Sequence, residues 1–123
     1  MIREDVVQRL VATGQWSDED ARLGERANYH CEYCDLDLLE NIQNYKLWQK
    51  DHITPIGSGG STDFENLALA CKTCNWNWKN RWNPRNIEPE HTREKLIQAV
   101  RLYVAEQIRR AEEELEGFRM IVG

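Results

Sequence analysis

Four cysteines fall in two pairs, Cys31-x-x-Cys34 and Cys71-x-x-Cys74. Thiolates two residues apart can bite one metal ion, and two such pairs complete the tetrahedral Cys₄ shell of a structural zinc site. That shell has no open position, so this zinc is expected to hold the fold and do no chemistry. The competing readings, a redox CxxC or buried free thiols, fit two pairs in one short chain less well. Thirty-six residues separate the pairs, which is long for a compact zinc finger.

The residues of that interval, and the one after it, have a chemistry of their own. They run Asp51-His52-Ile53-Thr54-Pro55-Ile56, then Gly59-Gly60, then Asn66-Leu67, then Asn75 immediately after Cys74. Phosphodiester hydrolysis needs a base to deprotonate water and a hard cation to stabilise charge on the phosphoryl and leaving oxygens. His52 is the base candidate, because imidazole titrates near neutral pH. Asp51 adds a carboxylate, and the Asn75 amide oxygen suits a hard cation such as Mg²⁺. Neighbours on a strand point to opposite faces, so a kink or the strand end must let Asp51 and His52 serve one site. A metal bond at Cys74 would hold Asn75 in place.

In order and spacing these pieces resemble the HNH endonuclease family, the ββα-metal or His-Me finger nucleases, over residues 26–82. The resemblance implies a DH-x-x-P strand, a Gly-Gly loop, a second strand opening at Asn66-Leu67, and a helix headed by CxxCN. It implies that His52 is the general base, that Asp51 and Asn75 bind one catalytic Mg²⁺ or Mn²⁺, and that Asn66 orients the loop carrying His52. It implies cleavage of DNA to a 5′-phosphate and a 3′-hydroxyl. The third letter of the motif is Asn75, an HNN variant. Where relatives often place a basic residue, three after that position, this chain has Trp78, with Lys79 next.

The elements that must position these groups are coarser to read. Apolar residues at Ile2, Val6, Val7, Leu10 and Val11 have helical spacing. Ser17 reads as the N-cap of a second helix with Asp18, Glu19 and Asp20 in its first turn. Residues 47–55 and 67–70 suit short strands around a Gly/Ser loop at 57–61, and residues 74–82 suit a helix ended by Asn83-Pro84. Thr92 opens a last amphipathic segment with a stripe of Leu96, Val100, Tyr103, Val104, Ile108, Ala111 and Leu115. The expected architecture is therefore α+β: one domain over 1–123, with N-terminal helices in 1–25, the nuclease core in 26–82 and a C-terminal helix in 90–118.

The net charge is −5, which argues against a simple electrostatic nucleic-acid clamp. Only residues 41–86 are basic, with six Lys or Arg against three Asp or Glu. Within them Lys72, Lys79, Arg81 and Arg85 are candidate phosphate contacts, weighed against an ordinary solvated face. Trp76 is a candidate for base stacking, while Trp78 and Trp82, four apart, are expected to share a face and pack on flanking helices. His30 and His91 have no motif around them and read as surface or loop residues. No N-terminal apolar run suggests a signal peptide and no stretch suggests a membrane span, so a cytoplasmic protein is expected. The weak basicity points to a homodimer or a partner protein, joined through the C-terminal helix. The rival reading is a catalytically silent, zinc-dependent nucleic-acid-binding or protein-interaction module.

Overall fold

A computed structural model of the protein describes residues 1–123. Helices α1 (Glu4–Ala12) and α2 (Asp18–Ala27) come first, then a single turn, α3 (Ile42–Tyr45). Strands β1 (Trp48–His52) and β2 (Leu67–Cys71) form a two-stranded antiparallel sheet. Helix α4 (Lys72–Cys74) runs on as a π-helical turn over Asn75–Lys79, and α5 (Arg93–Val122) closes the chain. The architecture is α+β, with two strands feeding a helix.

Local chemistry sets several of these boundaries. The Ser17 hydroxyl accepts from the Asp20 amide at 3.0 Å and starts α2, and Asn28, at φ 52°, ends it in the left-handed conformation that Asn tolerates. Thr92 caps α5 the same way, accepting from the Lys95 amide at 3.3 Å. Helix α1 is fastened to α2 by Glu25, whose carboxylate accepts from the Arg3 backbone amide and guanidinium, each at 2.9 Å.

Strand β2 is buried at every position, as its run Leu-Ala-Leu-Ala-Cys suggests. Strand β1 is mixed. On one face Trp48 packs edge-on against Trp16, and Lys50 meets Glu19 and Asp20 of α2. On the other, Gln49 and Asp51 face the segment 72–79. The core joins Leu23, Leu38, Ile53 and β2 to Leu96, Ile97, Val100 and Val104 of α5.

Three boundaries depart from the sequence reading, the first being β1, which ends at His52 and does not run on to residue 55. The helix after β2 stops at Lys79, not Trp82: the Asn80 amide bonds to the Asn75 carbonyl five residues back, and the wide turn ends there. Trp82 lies beyond the helix and stacks on Tyr103 of α5, with centroids 4.1 Å apart. The last helix spans Arg93–Val122 rather than 90–118. Only the first half of its stripe is covered, and Leu115 and Phe118 are exposed. No helix is long and apolar enough to cross a membrane.

Candidate functional site

The two cysteine pairs meet although 36 residues separate them. The Sγ atoms of Cys31, Cys34, Cys71 and Cys74 all lie within 4.8 Å of one another. Thiolates ~2.3 Å from a tetrahedral zinc stand about 3.8 Å apart, and Cys34 Sγ lies 3.7 Å from Cys71 Sγ. The donor set, number and spacing fit a zinc ion. Four thiols this close become thiolates together only around a cation. Cys71 is also the N-cap of α4, its sulfur accepting from the Cys74 amide at 3.4 Å, so the knuckle and the helix start are one structure.

The spacers of the first knuckle are structural as well. Glu32 is buried; its carboxylate accepts from the Leu69 amide at 2.7 Å and from Arg93 at 2.8 Å. Its own amide donates to the Leu69 carbonyl at 2.8 Å, and its carbonyl accepts from Arg101 at 2.6 Å. Glu32 thereby ties the first knuckle to β2 and α5. The Tyr33 hydroxyl donates to Asp51 Oδ2 at 2.6 Å. Neither role has a local sequence signal, because the partners lie 18 to 69 residues away.

Asn75 leaves the knuckle beside β1. Its Nδ2 donates to Gln49 Oε1 at 2.9 Å, and the Trp76 indole donates to the same oxygen at 2.8 Å. Asp51 lies two positions along β1 from Gln49, on the same face. Its Oδ2 receives the Tyr33 hydroxyl and lies 3.1 Å from Lys79 Nζ, while Oδ1 has no hydrogen-bond partner in the chain. His52 is the last residue of β1. Its carbonyl accepts from Lys79 Nζ at 3.0 Å, and its half-buried imidazole makes no hydrogen bond. Alternation gives His52 the face of Lys50, but the strand ends there.

Asn66 closes the loop after His52. Its Oδ1 accepts from the Thr54 amide at 2.9 Å, and its Nδ2 donates to the carbonyls of Thr54 at 3.0 Å and Ser61 at 2.7 Å. One side chain thus pairs both backbone groups of Thr54 as a strand would. Gly60 lies against the same carbonyl: a Cβ there would sit 1.9 Å from Thr54 O.

The candidate nucleic-acid contacts divide. Trp76 is 62% exposed, with Lys72 Nζ 4.7 Å from its ring centroid, and Arg81 is exposed. Lys79 is not a surface residue. It is fully buried against Asp51, because the π-helical turn swings residue 79 inward under β1. Burial lowers the Lys79 pKa and raises that of Asp51.

Residues 31–81 match the family model of the HNH endonuclease. The chain carries an HNH domain. No curated protein and no solved structure matches the chain. The match runs from the first knuckle cysteine to two residues past Lys79, so the HNH domain takes in both halves of the cysteine cluster, the sheet and the helix. Helices α1, α2 and α5 lie outside it. As a class, HNH domains make up nucleases that use divalent metals and act on DNA, and the four cysteines could bind zinc.

Proposed function

We propose that this protein is a metal-dependent endonuclease that hydrolyses phosphodiester bonds of DNA with His52 as its general base. The observation that carries the reading is the free imidazole of His52 at the end of β1, within the matched HNH domain. An imidazole with no partner in the chain is available to take a proton from water. The Asn66 clamp fixes the backbone two residues later, and so holds His52 at a set distance from β2.

Asp51 Oδ1 and Asn75 Oδ1 are the oxygens that would hold a catalytic Mg²⁺ or Mn²⁺, and both lack partners within the chain. When bound, such an ion stabilises negative charge on the phosphoryl and leaving oxygens. The chain's own residues do the rest. Tyr33 and Lys79 hold Asp51 by its other oxygen, and Gln49 holds Asn75 by its nitrogen. Lys72 and Arg81 supply positive charge at the surface for phosphate, with Trp76 beside Lys72 as a base-stacking face. The third motif position is an Asn, so the site is read as the HNN form of the HNH centre.

One centre cuts one strand. The exposed stripe of α5, continuing from Ile108 through Ala111, Leu115, Phe118 and Val122 in steps of three and four, supports a second copy or a partner protein there. A cytoplasmic setting accords with four free cysteines.

One observation favours a silent binding module instead: the Lys79 ammonium already neutralises Asp51. Supercoiled plasmid incubated with zinc-loaded protein and Mg²⁺, Mn²⁺ or EDTA separates the two readings. Open circles with metal, absent with EDTA or with His52→Ala, are the expected result. Intact plasmid under every condition, with the fold and zinc retained, would leave the silent module.

A further inference from the structure

An asparagine side chain is a two-faced ligand. Its oxygen can hold a hard cation and its nitrogen cannot, yet the two ends have nearly the same shape. Something must choose between them at Asn75. The Trp76 indole settles the choice, because its N–H can only donate. The Gln49 atom it meets at 2.8 Å must therefore be the oxygen. That same oxygen lies 2.9 Å from the Asn75 amide, so Asn75 must present its NH₂ there. The Asn75 oxygen is thereby turned the other way, and the indole of one residue fixes the amide of its neighbour through a third.

We infer that Gln49 is a positioning residue that holds the Asn75 amide with Oδ1 free for the catalytic cation, and that Trp76 locks Gln49 in the orientation this needs. The inference deepens the proposed nuclease reading and rests on it for the cation. Gln49 reaches Asn75 from β1, two positions before Asp51, so it also ties the two proposed ligand residues to one strand face. Trp76 gains a second duty beyond any contact with a base.

Two readouts test this on the full, zinc-loaded chain. The first needs no catalytic metal: the side-chain amide resonances of Asn75 and the indole resonance of Trp76, in wild type and in Gln49→Met. Methionine keeps the length of the side chain and removes the acceptor. Both resonances are expected to shift, and the Asn75 amide protons to exchange faster with solvent. The second is Mn²⁺ affinity, read from free Mn²⁺ by electron paramagnetic resonance. Gln49→Met is expected to weaken it about 10- to 100-fold, the usual effect of losing a group that orients a ligand, with the melting temperature held. Gln49→Glu keeps an acceptor oxygen and is expected to bind at least as well as wild type. Trp76→Phe frees Gln49 to flip and is expected to lose part of the affinity.

Unmoved resonances in Gln49→Met would overturn the inference. So would unchanged Mn²⁺ affinity in that variant while Asn75→Ala loses it. Equal affinity in wild type and Asn75→Ala is a different failure. It would sink Asn75 as a ligand in the proposed function, and the resonances would still decide whether Gln49 sets the amide.

Discussion

Lys79 Nζ lies 3.1 Å from Asp51 Oδ2, and both side chains are buried. Each ion is there at the cost of desolvation, which lowers the Lys79 pKa and raises that of Asp51. Tyr33 adds a hydrogen bond to the same carboxylate oxygen. Breaking such a pair from one side leaves a buried charge alone. Lys79→Met is therefore expected to destabilise the fold by about 3–5 kcal/mol. Adding Asp51→Asn should recover most of that loss. Urea melts of the two single variants and the double variant check it; additive single-variant losses would remove the pair as a unit.

The cysteine cluster predicts a fold that depends on zinc. The four thiolates gather the first knuckle, β2 and α4 around one point, and metal affinity there is folding free energy. A chelator, or Cys74→Ser, is expected to abolish cooperative unfolding of the sheet region. Metal analysis should find one zinc per chain. Retention of the native circular dichroism spectrum and melting temperature after zinc removal would contradict this.

Gly60 predicts a steric effect next to the base. A Cβ there would come within 1.9 Å of Thr54 O, and backbone cannot yield as a side-chain tip can. Gly60→Ala is expected to cost about 1–3 kcal/mol, as overpacking does. It should also lower nicking beyond the effect of stability, because the displaced loop follows His52. A variant with unchanged melting temperature and rate would show that the loop adapts freely.

Glu25 predicts a pH dependence. The Arg3 guanidinium, with help from the Tyr29 hydroxyl and the Arg3 amide, holds its pKa down to about 2 from 4.5. Because the folded value is the lower one, this carboxylate stabilises the fold above about pH 4.5. That contribution fades as pH falls towards 2. Glu25→Gln is expected to be less stable than wild type at pH 7, by about 2 kcal/mol, and the gap should close at low pH. Zinc release in acid affects both proteins, so the difference between them is the quantity to measure.

Much of the site was legible because its signals are local. CxxC spacing brings two thiols together whatever surrounds them, Ser17 and Thr92 cap helices through amides three residues on, and the buried run into Cys71 is a strand. Lys79 was not legible. In a basic segment it reads as a phosphate contact or a solvated lysine, and only the π-helical turn, one residue wider than an α-turn, carries it inward. Glu32 and Tyr33 look like mere spacers, because their partners come from β1, β2 and α5. Gln49 sits on a strand whose pattern says nothing of the indole and amide that meet it.

The bonds that Glu32 makes to β2 have a consequence outside chemistry. A two-stranded ribbon has two open rims, and an open rim invites strands from other molecules to add on. Here the rim of β2 is already satisfied: Glu32 takes the amide and carbonyl of Leu69, and Arg26 and Arg93 both reach the carbonyl of Leu67. Side chains stand where a third strand would pair. The other rim, along β1, carries Lys50, held by Glu19 and Asp20. The smallest possible sheet is thus closed along β2 by polar side chains, and along β1 it carries a charge of the kind that discourages strand addition.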